Sequence, residues 1–163
     1  MDFEVLKKKP IRLIMENNIL DDVVHLSDPL GDLFSKIDDK IKNSFRDFII
    51  VILNSDNEVY FIITYKEFSK FLSIFSKFLG FSKKGNKIDS KKLGAKVEDI
   101  MDLEQFSIKK GINAIEADAI VQRALDIMDE NKLEVLVVVN KEDKYLGKIK
   151  RSSLRKRVDE VID

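Results

Sequence analysis

The sequence predicts an α+β protein made of two copies of one small unit, each reading strand, helix, strand, strand, helix. Three observations predict it. A register shift of 86 residues places Ile14-Met15 on Ile100-Met101, Val51 on Val137, Asn54 on Asn140, Asp56 on Glu142 and Ile63 on Ile149. Each copy holds an aliphatic run too continuous for a half-exposed strand, Phe48 to Leu53 and Val135 to Val139. Each run is preceded by residues at helical spacing and followed by a polar turn and a second strand. The copies span 1–79 and 96–163, with a basic linker at 80–95.

The elements follow in order. Val24 and Leu26, then Ile112 and Ile115, sit at strand-like positions. In the first copy Ser27 or Asp28 caps a helix, Pro29 suits its first turn, and Leu30, Leu33, Phe34 and Ile37 form one face. In the second copy Asp118 caps, and Val121, Ala124, Leu125 and Met128 form the face. Asp28 pairs with Asp118 at a shift of 90, and the difference is made up before Val51. The polar turns are Asn54-Ser55-Asp56-Asn57 and Asn140-Lys141-Glu142-Asp143, leading to strands at Val59 to Thr64 and Tyr145 to Lys150. Closing helices start near Tyr65 and Ser152. The first carries Phe68, Phe71, Leu72, Phe75, Phe78 and Leu79, a wide apolar stripe that reads as core, or as a contact between copies of the chain. A unit of roughly 60 residues is marginal alone, so the two units are expected to bury sheet faces on each other.

With 29 basic and 29 acidic residues the chain has no net field to draw it onto nucleic acid or an anionic membrane. It has no cysteine, which excludes disulfides, thiolate metal sites and cysteine nucleophiles. Residues 1–10 lack the apolar stretch of a signal peptide, and apolar runs of about six residues are far short of a membrane span. A cytoplasmic protein is expected. His25, the only histidine, cannot build a catalytic pair and reads as a partly buried structural residue. The adjacent acids Asp21-Asp22 and Asp38-Asp39 diverge rather than converge on one proton. No glycine-rich phosphate loop and no nucleophile beside a base is present, so no enzyme is expected.

The segments Val97–Met101, Asp118–Met128, Val135–Ile149 and Ser152–Leu154, with Leu13–Met15 and Ile49–Phe68 in the first copy, resemble tandem CBS domains. The resemblance implies two CBS-type β-α-β-β-α repeats packed as a pseudo-twofold pair. It also implies an adenine nucleotide or related adenosyl ligand in the cleft between them. Its ligand signature closes the third strand: Gly, two aliphatics, Ser or Thr, two variable residues, then Asp. The hydroxyl and the following helix start receive phosphate, the carboxylate accepts from ribose hydroxyls, and apolar side chains hold the base.

Carried over, the first copy keeps Thr64 and has Glu67 for the acid, with Phe61 where the pattern has glycine. The second keeps Gly147 but has Lys150 for the hydroxyl and Ser153 for the acid. A hydrogen bond to a charged group is worth about 1.5–3 kcal/mol, so losing that acid costs about tenfold or more in affinity. The nucleotide-binding positions implied are thus Thr64, Glu67, Ile63, Met15, Lys148, Lys150, Arg151 and Ser153. The second site is expected to grip phosphate, because Lys148, Lys150, Arg151, Arg155, Lys156 and Arg157 crowd six cations into ten residues. The bland reading of that run is a solvated, aggregation-resistant edge. No cofactor is required; AMP, ADP, ATP and S-adenosylmethionine are the candidate regulatory ligands. Expected partners are a second copy of the chain and a partner protein carrying any regulated activity, with no membrane and no nucleic acid. A ligand-free dimeric scaffold gains weight from Phe61 and Ser153, and a nucleic-acid-associated regulator would rest on the basic linker and C-terminal segment alone.

Overall fold

The computed structural model describes residues 2–44, 46–79, 95–100 and 107–162. Residues 80–94 of the linker, Met101 of the second Ile-Met pair, and the side chains of Phe75, Phe78 and Leu79 lie outside what is described. The chain divides into two compact units. One, the inner unit, is Val23–Ser107; the other, the split unit, joins Met1–Asp22 to Ile108–Asp163.

The inner unit has a three-stranded sheet of β1 (Val23–His25), β2 (Ile49–Leu53) and β3 (Val59–Thr64), in that order. β1 runs parallel to β2, and β2 pairs antiparallel with β3. Helix α2 (Leu30–Ser44) links β1 to β2, and α3 (Tyr65–Leu79) follows β3 directly. Leu30, Leu33 and Ile37 of α2, Phe71 of α3, and Val24, Ile50, Ile52, Phe61 and Ile63 of the sheet form one core, with Phe68 packed against it. Leu72 and Phe34, both expected on apolar faces, are exposed.

The split unit repeats the pattern. Its sheet is β4 (Ala114–Glu116), β5 (Val135–Val139) and β6 (Tyr145–Lys150), with the same parallel and antiparallel pairings. Helix α4 (Val121–Glu130) precedes β5, α5 (Arg151–Ile162) follows β6, and the short α1 (Phe3–Leu6) belongs to the same unit. The hairpins match residue for residue. Asn54 Oδ1 accepts from the amides of Asp56 and Glu58, each at 3.0 Å. Asn140 Oδ1 accepts from those of Glu142 and Lys144 at 2.9 and 3.0 Å. Asn57 and Asp143 both take φ near +60°, the left-handed conformation that asparagine and aspartate tolerate best after glycine.

Two details differ from the sequence expectation. Before the hairpins the register shift is 91, since Val23↔Val51 corresponds to Ala114↔Val137. The excess over 86 is the greater length of α2, 15 residues against 10 in α4. Nor does Asp118 cap α4: the N-cap is Ile120 with no side-chain bond, and Asp118 instead meets Arg12 at 3.2 Å. A side-chain cap is unnecessary because main-chain carbonyls take the first helical amides, Val121 donating to Lys9 and Gln122 to Lys7. Asp28 likewise accepts from the His25 amide, and the Leu30 amide donates to the Ala95 carbonyl.

Those carbonyls belong to exchanged segments. The stretch around Pro10 bridges Ile120, and its equivalent 86 residues on, around Lys96, bridges Pro29. Leu6, Ile11 and Ile14 are at most 1% exposed in the core of the split unit, whereas Val97 and Ile100 enter the core of the inner unit. Each leading segment thus completes the unit of the other copy.

Candidate functional site

In the inner unit the candidate residues meet where β3 turns into α3. Thr64 is the last strand residue, and Glu67, in the first helical turn, reaches back to it. Its Oε2 accepts from the Thr64 amide at 2.9 Å and from Thr64 Oγ1. A glutamate at the third helical position closing on the residue before the helix is the capping-box arrangement. Both residues are half-buried, and Oε1 is left without a protein donor among the described residues. Ile63 is fully buried in the inner core. The Phe61 ring is 4% exposed, lies in the core, and packs edge-on to Tyr60 with centroids 4.6 Å apart.

The corresponding corner of the split unit is built differently. The segment Met15-Glu16 runs antiparallel to β6, with the Glu16 amide donating to Lys148 O at 2.8 Å and the Lys148 amide donating to Glu16 O at 3.0 Å. Gly147 makes this approach possible, because a Cβ there would sit 2.6 Å from Glu16 O and 2.9 Å from Met15 Sδ. Ser153 Oγ, in the first turn of α5, donates to Glu16 Oε1 at 3.2 Å. The second carboxylate oxygen, Oε2, is buried with no hydrogen-bond partner among the described residues.

Three of the six clustered cations are committed to the protein itself. Lys148 is 4% exposed and its Nζ donates at 2.8 Å to Oδ2 of Asp22, which is fully buried and also accepts from the Tyr145 hydroxyl at 2.9 Å. Burial, with Asp22 and then Glu16 nearby, pushes the Tyr145 phenol far above its usual range. Arg151 turns to the end of α4, donating to the carbonyls of Leu133 and Met128 and pairing with Asp129 at 3.2 Å. Arg157 donates to the carbonyls of Ile14 and Met15. Of the rest, Lys150 is half-buried, and Arg155 and Lys156 are exposed on α5.

The structure therefore joins Thr64 with Glu67 in one unit, and Met15, Lys148 and Ser153 in the other, while Arg151 points elsewhere. Sequence reasoning missed Glu16, Asp22 and Tyr145. Glu16 follows the Ile-Met pair directly and was within reach of it. Asp22 carried no local signal, since only the strand across the unit shows that its charge is buried. His25 is half-buried, 3.3 Å from Asn57 and 3.8 Å from Asp28, as a structural histidine should be. Among the described residues no acid and histidine cluster has metal-binding geometry, and no helix is long and apolar enough to cross a membrane.

No family model matches the chain, and no curated protein matches it. Solved structures do. A CBS domain-containing protein of unknown function from Bacillus anthracis shares 13% identity at a TM-score of 0.60, covering 98% of this chain and 99% of that one. CBSX2, solved in complex with AMP, shares 14% at 0.61, covering 95% and 99%. CbpB, solved in complex with c-di-AMP, shares 12% at 0.63, covering 98% and 91%. Against protein MJ1004 from Methanocaldococcus jannaschii the chain spans 60% of that protein's length. At these identities the likeness is one of fold.

Proposed function

From a chain with the tandem CBS fold, we propose a regulatory rather than catalytic role: it binds an adenine nucleotide or related adenosyl ligand and signals occupancy to a partner protein. The observation that carries this reading is the Thr64–Glu67 pair at the start of α3, a hydroxyl and a carboxylate held together with one carboxylate oxygen unspent. A carboxylate so placed suits sugar hydroxyls, and the helix start beside it suits a phosphate. AMP and c-di-AMP bound in two structures of the same fold support the ligand class. The partner response is limited by the ligand's differential affinity for the module's two states. A homodimer is the proposed working form, by isologous pairing.

The test is a thermal-shift series with AMP, ADP, ATP and S-adenosylmethionine on the parent chain and on Glu67→Ala. A ligand at a hundredfold excess over its Kd adds about 2.7 kcal/mol of stability, and Glu67→Ala is expected to lose most of that gain. No shift with any of the four would sink the adenine reading. It would favour a ligand-free dimeric scaffold, a reading helped by the internal commitment of Lys148, Arg151 and Arg157.

A further inference from the structure

Helix α1 packs on α5 in the split unit, and side chains of both line a groove of about 410 Å³. Its floor is apolar: Phe3 of α1, and Leu154, Val158 and Ile162 at successive turns on one face of α5. That floor is preformed. Val158 is buried in the core of the split unit, and Leu154 and Ile162 pack against the same core. The Phe3 ring is 40% exposed, with the Lys7 ammonium 4.8 Å from its centre and Glu4 holding that ammonium at 3.1 Å. Size and lining are those of a small-ligand site, mostly apolar with a few polar groups at the rim.

Three charged residues form that rim. Arg151 is already spent on the carbonyls of Leu133 and Met128 and on Asp129. Arg155 and Asp159 are both exposed, and the side chain of neither has a hydrogen-bond or ion-pair partner among the described residues. They lie one turn apart on the same face, where Cβ atoms are about 5–6 Å from each other. A base preceding an acid is the weaker order for such a pair, and both groups stay open. An apolar anion would meet Asp159 here, and an apolar cation would meet Arg155. A molecule that carries both signs on one carbon, with an apolar branch, meets neither repulsion. We propose that the α1–α5 groove binds a free α-amino acid with an apolar or aromatic side chain. Its carboxylate accepts from the Arg155 guanidinium, its ammonium donates to the Asp159 carboxylate, and its side chain covers the floor at Phe3, Leu154 and Val158. The site shares no residue with the Thr64–Glu67 corner and does not depend on a nucleotide binding there. Helix α5 ties it to the leading segment, because Ser153 bonds Glu16 and Arg157 holds the carbonyls of Ile14 and Met15.

The test is an amide NMR titration of the full chain with L-leucine and L-phenylalanine, each beside its amine and its acid: isoamylamine and isocaproate, phenethylamine and hydrocinnamate. At least one amino acid should shift the amides of Phe3 and of residues 154–162, binding about fivefold more tightly than either analogue, as one exposed charge pair allows. Arg155→Gln should abolish the preference over the amine alone, and Asp159→Asn the preference over the acid alone. Both positions are exposed, and melting curves verify that the variants stay folded. Glu67→Ala should change neither preference. Equal binding of an amino acid, its amine and its acid overturns the proposal, as do preferences that survive both substitutions. No response to either amino acid also overturns it, and a dimer that then dissociates in Arg155→Gln gives the groove to a second copy of the chain. Shifts at Thr64 and Glu67 with AMP report on the adenine reading separately, so either reading can fall without the other.

Discussion

Asp22 shows how one buried carboxylate organises its surroundings. It has no exposed surface, yet it accepts from both the Lys148 ammonium and the Tyr145 hydroxyl through a single oxygen. Removing one partner of a buried pair leaves the other charge uncompensated, which costs about 3–5 kcal/mol. Asp22→Ala should therefore destabilise the protein by that amount in chemical denaturation. Asp22→Leu with Lys148→Met should recover most of the loss, since an apolar pair of similar volume is often neutral. Tyr145 adds a pH dependence of defined sign. Its folded pKa lies far above the unfolded value of 10.0. Above pH 10 the unfolded chain releases a proton that the folded chain retains, so stability declines with rising pH, by up to about 1.4 kcal/mol per unit. Below pH 10 the contribution is constant. Tyr145→Phe removes this slope, and urea titrations of both proteins between pH 9 and 11 should diverge in that direction only.

At the scale of elements, β3 and β6 carry opposite solutions at one position. Phe61 fills the inner core, whereas Gly147 leaves room for Met15 and the Glu16 backbone. Gly147→Ala should cost about 1–3 kcal/mol as overpacking, because the added methyl meets a backbone carbonyl that has no rotamer to move. Phe61→Ala should cost about 3–5 kcal/mol as a cavity. Melting curves that order the two variants the other way would contradict this packing. The sequence made the hairpins legible because Asn54 and Asn140 build them from local bonds alone. It also made Thr64 and Glu67 legible, being neighbours across one helix start. The partners of Lys148, Arg151 and Arg157 were not legible in it, because a charge run reads as solvated or ligand-facing until its partners are known. Asp22 lies 126 residues from Lys148, and the Met15 carbonyl 142 from Arg157. The helix caps failed for a related reason: main-chain carbonyls from a distant segment took the place of side chains.

For the whole molecule, the exchange of leading segments is the feature that a repeat in sequence cannot disclose. A stretch at 10–16 repeated at 96–102 looks the same whether each packs in its own copy or in the other. Only the pairings of Pro10 with Ile120 and Lys96 with Pro29 decide it. The exchange has a testable consequence. Leu6, Ile11 and Ile14 are core residues of the split unit, and burying three such side chains contributes on the order of 5–9 kcal/mol, comparable to the stability of a small domain. A chain lacking residues 1–22 should lose the split unit, seen as collapse of the Val135–Val139 amide protection. A circular permutant opened between Ser107 and Ile108 should not, because it makes the split unit continuous. Phe3 and Ile162 line one groove of about 410 Å³, so a short Gly/Ser link can close the ends. The permutant should melt within about 4 °C of the parent, equivalent to about 1 kcal/mol. A permutant as unstable as the truncated chain would mean that residues 1–22 do not complete the C-terminal unit.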